Sequence, residues 1–271
     1  MPDPILPGPL WMVGCGHMGS AMLAGWIAGG VDPAHVTVIR PSGRPAGDGV
    51  RILTHFPEDE VPAIVLLAMK PQKLDEATAA LPPILDPETI LVSILAGVEL
   101  ASLRSRFPAP RNIVRAMPNL PARLGQGVVG LCADGADPAA RALVGGLMAA
   151  LGHAEWFDDE RDFNLVTALS GSGPAFVFRF IAALAEAGAR LGMPPDQARR
   201  FAAATVAGAA ALAQEEGADL DALARMIASP GGTTEAGLQI LDTDRALAGL
   251  IERTLEAARR RGVELAQAAR K

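Results

Sequence analysis

The chain has 271 residues, half of them apolar and a fifth charged, and its formal net charge is −6. That length suits one large or two ordinary domains, and the composition is typical of a globular protein with a substantial helical share. With this acidic balance and no long basic run, nucleic acid is not expected to be the main partner. The sequence contains no tyrosine, which excludes any mechanism that needs a tyrosine as acid or base.

Few residues suit disulfides, metals or membranes. Cys15 and Cys132 are the only cysteines and lie far apart, which is typical of a reduced, cytoplasmic protein without a disulfide. The four histidines are scattered, so no metal site is expected. No signal-peptide core follows the Pro-rich start at Met1–Pro4, and the longest Ala-rich apolar run, Phe201–Ala213, is too short to span a bilayer.

The first motif is a glycine-rich turn between a predicted strand, Leu10–Val13, and a predicted helix over residues 20–29. In such a turn the first glycine allows a tight bend, the second lets the backbone meet a pyrophosphate, and the third lets the helix pack on the strand. An ordinary glycine-rich turn is the alternative. We expect the turn to bind a dinucleotide through Gly14, Cys15, Gly16, His17, Met18 and Gly19, with Met18 mainly packing.

The end of the second predicted strand, Val36–Ile39, bears on the choice of cofactor. A site for NAD usually has a carboxylate there that binds the ribose 2′-hydroxyl, and this chain has Arg40 instead. Arg40 and Ser42, helped by Arg44, are therefore predicted to hold the 2′-phosphate of NADPH, although NADH stays possible. The alternative is that these are solvated loop residues.

The remaining first half alternates predicted strands with turns and helices. Strands are predicted over residues 63–68, 90–94, 112–115 and 128–131, and a helix over 139–151. The pattern predicts a mostly parallel, doubly wound sheet of the Rossmann type, an α/β domain over residues 1–160. Because carboxyl ends of parallel strands face the ligand, the cofactor is also expected to contact Ala68, Met69, Lys70, Pro71, Ala96 and Gly97.

The second half, residues 161–271, shows no β alternation and is predicted to be an all-α domain for substrate binding and dimerisation. Helices are predicted over residues 163–168, 176–191, 196–214, 219–228, 234–242 and 244–269. The Ala-rich run lets helices approach closely, which favours packing against a second subunit. Two glycines and a proline in Ser170–Pro174 interrupt the helical pattern, either for close approach of a ligand or as a plain turn.

A loop near the C-terminal end, Ser229–Thr234, carries both hydroxyls and flexible amides. Pro230 fixes φ, and Gly231 and Gly232 let the backbone approach a ligand closely. Thr233 or Thr234 is predicted to cap the following helix, whose N-terminal amides attract an anion. The alternative is a turn and an N-cap without a ligand.

Taken together, the motifs resemble those of the pyrroline-5-carboxylate reductases over essentially the whole chain. The matching segments are Val13–Gly19, Ala68–Gln72, Ser93–Gly97, Arg115–Asn119, Ser170–Phe176 and Ser229–Thr234. The last two, in this order and spacing, are the specific ones. The resemblance implies a Rossmann domain, a helical domain that forms homodimers and often rings of dimers, and NADPH, sometimes NADH, as hydride donor. It also implies reduction of 1-pyrroline-5-carboxylate to L-proline, the last step of proline biosynthesis.

The resemblance also implies site roles in the second half. The substrate carboxylate is expected to bind Ser229, Gly231, Gly232, Thr233 and Thr234. Thr234, through its hydroxyl on the ring nitrogen, and Ser229 are the expected catalytic residues, and Ser172 and Gly173 are expected to line the nicotinamide. A cyclic iminium accepts hydride without a strong protein acid, so the site needs positioning and charge placement.

The chain departs from the family pattern at His55-Phe56, in the apolar helix Leu223–Ala228 and in the loop after Arg40, and these departures leave the cofactor preference open. One rival function is a hydroxyacid dehydrogenase, which would need a lysine in the helical domain, where this chain has only Lys271. A second rival is a non-catalytic NADP-sensing protein.

Overall fold

A computed structural model of the chain describes residues 6–81, 85–215 and 217–269. Its contacts divide the chain into two compact units, one of residues 1–172 and 258–271 and the other of residues 173–257. The terminal residues Met1–Pro4 and Lys271, on which the sequence analysis drew, lie outside the described residues.

The first unit is built on one eight-stranded sheet with the order β3-β2-β1-β4-β5-β6-β7-β8. The strands are β1 (Leu10–Val13), β2 (Val36–Ile39), β3 (Arg51–Leu53), β4 (Ile64–Leu67), β5 (Ile90–Ser93), β6 (Ile113–Met117), β7 (Gly127–Asp134) and β8 (Gly152–Trp156). All neighbours pair in parallel except β6 and β7, which are antiparallel. The order reverses at β1, so a ligand crevice is expected at the carboxyl ends of β1 and β4.

Helices cover both faces of this sheet. They are α1 (His17–Ala28), α2 (Leu74–Ala80), α3 (Leu100–Arg106), α4 (Pro138–Ala149) and α5 (Phe163–Val166). In β1, Leu10 and Met12 pack into one core cluster with α1 and α4, whereas Trp11 and Val13 pack into another with α2 and α3. Burial of alternate side chains in two cores explains the continuous apolar strands and confirms the predicted doubly wound fold.

Two strands were missed by the sequence analysis. The strand β3 has only three residues and is partly exposed at the sheet edge, so it lacks a buried apolar run. The strand β8 alternates half-buried and exposed positions next to the helix α4. The strands β6 and β7 extend beyond their predicted ends because they pair antiparallel along the whole of β6, from Ile113 to Met117.

The second unit is helical, as predicted. Its helices are α6 (Gly173–Arg190), α7 (Pro195–Ala213), α8 (Leu220–Ile227), α9 (Thr233–Asp242) and the first half of α10 (Ala246–Ala269). The contact division falls after Ser172, later than the predicted boundary at residue 160, and returns residues 258–271 to the first unit. The reason is that Phe163 is buried in the core of the sheet domain, and the end of α10 packs against Gly97.

The Gly- and Pro-containing interruption at Ser170–Pro174 is not a plain turn between helices. A π-helix spans Thr167–Gly171 directly between α5 and α6, and the Ser172 amide donates to the Thr167 carbonyl at 2.9 Å. Single π turns within helices cost stability and are frequent at functional sites. The interruption is therefore a defined, hydrogen-bonded π-helix. It lies next to Ser172 and Gly173, which are predicted to line the nicotinamide.

Asn119 fixes this π-helix to the sheet. The Asn119 side chain is 4% exposed, donates to the Ser170 carbonyl at 3.0 Å and accepts from the Val128 amide at 2.8 Å. One buried carboxamide therefore satisfies a strand amide and a carbonyl of the π-helix. This explains why an asparagine ends the Arg115–Asn119 motif.

We expect Asn119→Ala to lower the free energy of unfolding by about 1–2 kcal/mol, because it leaves the part-buried Val128 amide and Ser170 carbonyl without their partner. Urea unfolding followed by tryptophan fluorescence measures this change. Gln126→Ala, at an exposed position in the same connection, is the matched control and should leave the midpoint unchanged. Equal midpoints for both variants would contradict the bridging role.

Candidate functional site

The glycine-rich turn is fixed at the end of β1 by close backbone contacts. The Gly14 amide donates to the Ile39 carbonyl at 2.8 Å, and Gly14 has a φ of +82°. A Cβ at this position would lie 2.9 Å from the Cα of Met69. Both the positive φ and the close approach require glycine here, so the turn stays tight, as predicted.

The next two glycines of the motif differ in their surroundings. A Cβ on Gly16, the N-cap residue of α1, would have no protein atom within 4 Å, and no side chain caps the helix. A Cβ on Gly19 would lie 3.3 Å from the Met12 sulfur and 3.5 Å from the Ala68 Cβ. The open Gly16 leaves the amides at the start of α1 accessible to an anion, whereas Gly19 lets α1 pack on the sheet.

Among the other residues of the turn, Met18 packs against the core as expected. Met18 and Cys15 are partly buried against the core, and the Cys15 sulfur lies 3.3 Å from the Ser20 hydroxyl. His17 is exposed at the start of α1. The turn therefore presents the backbone of Cys15–His17 outward, and its remaining side chains hold the helix in place.

An apolar cavity of about 400 Å³ opens beside Gly14 at the carboxyl ends of β1, β2 and β3. Its lining residues are Val13, Gly14, Ile39, Pro41, Thr54, His55, Phe56, Met69, Lys73, Glu76, Ala77 and Ala80. The cavity lies at the switch point of the sheet order and suits a flat aromatic group such as an adenine ring. Gly14 and Met69 are the two predicted cofactor residues on its wall.

The residues Thr54, His55 and Phe56 were not predicted to bind the cofactor. They follow β3, which the sequence analysis missed, and the pairing of Ile39 with Leu53 brings them beside the loop after β2. The Phe56 ring lies 6.1 Å from the Trp11 ring, in a tilted arrangement. The adjacent apolar residues Ile52 and Leu53, shortly after Gly49, are the sequence signal that could have revealed this strand.

Arg40 is held against the backbone of the loops around it. Its guanidinium donates to the carbonyls of Cys15 at 3.3 Å, Pro45 at 2.5 Å and Arg44. Ser42 is exposed in the same loop. Arg40 therefore joins the loop after β2 to the glycine-rich turn, which places a fixed positive charge between them.

The remaining predicted cofactor residues lie at the ends of β4 and β5. Ala68 is buried and its amide donates to the Val13 carbonyl at 2.9 Å, while Lys70 is exposed before Pro71. Ala96 is exposed, and a Cβ on Gly97 would lie 3.3 Å from the Ala266 amide. Gly97 thus has a packing reason to be glycine, independent of any cofactor.

Arg115 holds the segment that follows β8. Its side chain is 7% exposed, pairs with Glu160 at 2.5 Å and lies 4.9 Å from the centre of the Phe163 ring. Glu160 also accepts from the Leu100 amide at 2.8 Å. Because a buried guanidinium needs its partners, this arrangement explains the arginine that begins the Arg115–Asn119 motif.

The two cysteines are both free and differ in accessibility. Burial, followed by the Glu160 charge, raises the pKa of the Cys132 thiol, so Cys132 carries less thiolate than an ordinary cysteine at neutral pH. Cys15 is half-buried in the glycine-rich turn.

We therefore expect Ellman's reagent to modify one thiol per chain rapidly, Cys15, and to reach Cys132 only after unfolding. NADPH should slow the rapid phase, because the modified turn is the one predicted to hold its phosphates. Cys15→Ser should remove the rapid phase, and a rapid phase that persists in this variant would contradict the assignment.

The loop Ser229–Thr234 lies in the second unit and is described by itself. Gly231 has a φ of +69°, its amide donates to the Glu235 carboxylate at 2.7 Å, and the Gly232 amide donates to the Ser229 carbonyl at 2.9 Å. A Cβ on Gly232 would lie 2.9 Å from that carbonyl, so both glycines are required by the turn itself.

The predicted capping role of Thr233 or Thr234 is wrong. The helix α9 begins at Thr233, its N-cap is Gly232, and no side chain caps it. The reason is that Glu235 reaches back to the Gly231 amide, so the turn closes one residue earlier than predicted. Thr233 and Thr234 therefore lie in the first turn, where their amides have no acceptor within the helix.

Two known family models match the chain, one in its first half and one in its second half. Residues 160–265 match the family model described as pyrroline-5-carboxylate reductase dimerisation. Residues 10–97 match the model described as NADP oxidoreductase, coenzyme F420-dependent. The first match covers the helical unit and the second covers the glycine-rich turn and the apolar cavity.

Full-length relatives carry the same family name. The chain is 38% identical to the pyrroline-5-carboxylate reductase of Pseudomonas aeruginosa, over 94% of this chain and 96% of the relative. It is 35% identical to that of Escherichia coli, over 89% of this chain and 92% of the relative. These identities extend over both units.

Solved structures agree in fold. A pyrroline-5-carboxylate reductase from Coxiella burnetii superposes with a TM-score of 0.88 and 31% identity, over 95% of this chain and 98% of the other. A pyrroline carboxylate reductase from Plasmodium falciparum, solved with NADP bound, has a TM-score of 0.85 and 24% identity, over 97% and 99% of the two chains. The motifs, the fold and these relatives together establish that the chain belongs to the pyrroline-5-carboxylate reductase family.

Proposed function

We propose that the protein reduces 1-pyrroline-5-carboxylate to L-proline with hydride from NADPH, the last step of proline biosynthesis. The observation that carries this function is the full-length similarity to reductases of that name, 38% over 94% of the chain for one of them. The glycine-rich turn and the Ser229–Thr234 loop, which the chemistry needs, are both formed as described above.

The cofactor site lies in the first unit. The apolar cavity receives the adenine ring, and the backbone of Cys15–His17 at the start of α1 holds the pyrophosphate. Arg40 stands where a carboxylate would favour NAD, so NADPH is the preferred donor and NADH a weaker one. A relative solved with NADP bound supports this choice.

The substrate carboxylate binds the loop of the second unit. The Gly231 and Gly232 amides are already paired inside the loop, so the anion is held by the Thr233 and Thr234 amides and the Ser229 hydroxyl. Gly231 and Gly232 contribute by shaping the turn so that those donors converge. All four amides from Gly231 to Thr234 were expected to bind the carboxylate, and we now assign this role only to the amides of Thr233 and Thr234.

The reaction needs little acid–base chemistry from the protein. The ring nitrogen of the protonated imine carries the positive charge, and its N–H donates a hydrogen bond to the Thr234 hydroxyl oxygen, which orients the ring. Ser229 fixes the carboxylate, and the segment Ser172-Gly173 lines the nicotinamide. NADPH supplies the hydride, and the residues contribute binding, orientation and exclusion of water.

The helical unit forms a homodimer. Residues 160–265 match a dimerisation model, and several large apolar side chains of this unit are exposed in the single chain. Phe178 is 60% exposed, Phe201 65% and Ile240 75%. Glu160–Arg190 is apolar and long enough to cross a membrane by composition alone, and dimerisation instead covers its apolar side chains. We also propose that the dimers assemble into a ring and that the protein is cytoplasmic.

Two rival functions have weaker support. A hydroxyacid dehydrogenase would need a lysine in the helical domain, and residues 161–270 contain none. A non-catalytic NADP-sensing protein would not need the shaped Ser229–Thr234 loop.

The decisive test follows NADPH absorbance with purified protein and 1-pyrroline-5-carboxylate, with NADH in parallel. Rapid oxidation that depends on substrate is expected, with a higher kcat/KM for NADPH. Tight NADPH binding without turnover would overturn the reductase and favour another imine substrate or the sensing function.

A further inference from the structure

The apolar cavity has few cationic donors available for a 2′-phosphate. Arg40, the residue predicted for this role, uses both hydrogens of Nη2 on the carbonyls of Arg44 and Pro45, and Nη1 on Cys15. Its Nε is buried without a hydrogen-bond partner within residues 6–81, 85–215 and 217–269. Most of the Arg40 donors are therefore committed to holding the loops.

The positive charge of the lysine on the cavity wall, Lys73, is offset by a neighbouring carboxylate. Lys73 pairs with Glu76 at 2.6 Å, and both residues line the cavity. A phosphate that approached Lys73 would meet the Glu76 carboxylate as well, which offsets the attraction. A further donor on the cavity wall would therefore add to what Arg40 and the exposed loop residues Ser42 and Arg44 offer a 2′-phosphate.

His55 lies in the right place to be that donor. It follows β3 at the edge where Leu53 pairs with Ile39, and the Leu53 carbonyl accepts from the Arg40 amide at 2.9 Å. A Cβ on Gly43 would lie 3.4 Å from the Thr54 methyl, so the loop after β2 packs directly against the residue before His55. His55 itself is exposed and lines the cavity.

The neighbouring threonine can stabilise the tautomer of the imidazole that carries its proton on Nε2. The His55 Nδ1 lies 3.3 Å from the Thr54 hydroxyl, and Nε2 has no hydrogen-bond partner in the described part of the chain. When the hydroxyl donates to Nδ1, the ring carries its proton on Nε2 and presents an N–H donor.

We propose that His55 is a specificity-determining residue whose Nε2–H binds the 2′-phosphate of NADPH. The inference rests on the proposed function. It assigns to His55 a part of the discrimination between NADPH and NADH that Arg40 alone does not provide. NADH has a hydroxyl in place of this phosphate, so the same contact contributes little to its binding.

The test measures binding without hydride transfer. Dissociation constants for NADPH and NADH, and for the fragments 2′,5′-ADP and 5′-AMP, are measured by calorimetry for the natural protein, His55→Leu and His55→Gln. We expect His55→Leu to weaken NADPH and 2′,5′-ADP about tenfold, the worth of one hydrogen bond to a charged group, with NADH and 5′-AMP unchanged. His55→Gln, which keeps an N–H donor, should restore part of the loss.

A matched control is His153→Leu, since His153 is an exposed histidine paired with Glu155 on β8. It should leave all four constants unchanged. Equal weakening of NADPH and NADH in His55→Leu, or no weakening of either, would overturn the role of His55. If the natural protein binds 2′,5′-ADP no tighter than 5′-AMP, the proposed preference for NADPH fails as well, which separates the two conclusions.

Discussion

Thr234→Ala lowers kcat with 1-pyrroline-5-carboxylate by about 100-fold or more, and it leaves NADPH affinity within about twofold of the natural value. The reason is that the variant removes the hydroxyl that we propose contacts the ring nitrogen of the substrate, while every residue predicted to bind the cofactor is unchanged. Thr234 is half-buried in the first turn of α9, where its amide is still present in the variant. Carboxylate binding should therefore weaken much less than turnover.

Steady-state rates and a separate NADPH titration distinguish these effects. Thr243→Ala is the matched control, because Thr243 is an exposed threonine whose hydroxyl donates to the Gln239 carbonyl at 2.5 Å, outside the loop. It should leave both kcat and NADPH affinity unchanged. An equal loss of turnover and NADPH affinity in Thr234→Ala would reject the substrate role of Thr234 and point to a general distortion.

Much of the fold could be predicted because the central strands are short, apolar and bounded by turns. The strands β1, β2 and β4 lie within a residue of their predicted bounds, since each is buried on both faces. The edge strand β3 and the terminal strand β8 could not be predicted in this way, because they lack a continuous apolar run. Their identity depends on pairing with distant neighbours.

In the candidate site too, residues with a local sequence signal were predicted, and residues that depend on distant pairing were missed. The glycines of the first turn were predicted from the spacing of the motif, and Gly14 and Gly19 also have local reasons to be glycine, such as the φ of +82° at Gly14. Thr54 and His55 were missed because only the pairing of β2 with β3 brings them to the cavity. The Glu235 contact with Gly231 was missed because a carboxylate in the first turn of a helix also suits simple dipole stabilisation.

Gly16→Ala provides the sharpest test of the cofactor site, because it separates ligand binding from folding. A Cβ at Gly16 meets no protein atom within 4 Å, and the backbone there is extended, with φ −83° and ψ −161°. Alanine is therefore compatible with the fold, and the free energy of unfolding should fall by about 1 kcal/mol or less, the cost of alanine in place of glycine at an N-cap. The same Cβ would enter the space that we propose for the pyrophosphate at the start of α1, so NADPH affinity should fall by roughly ten- to a hundredfold.

Substitutions of two other glycines serve as comparisons for Gly16→Ala. Gly14→Ala places a Cβ 2.9 Å from the Met69 Cα at a φ of +82°, so it should lower the free energy of unfolding by about 1–3 kcal/mol. Gly146→Ala, on the exposed side of α4 with equally open space, should change neither NADPH affinity nor the fold. If Gly16→Ala bound NADPH normally, the phosphates would have to lie elsewhere. Because only a ligand can make an open glycine indispensable, a selective loss in Gly16→Ala would place the pyrophosphate at this turn.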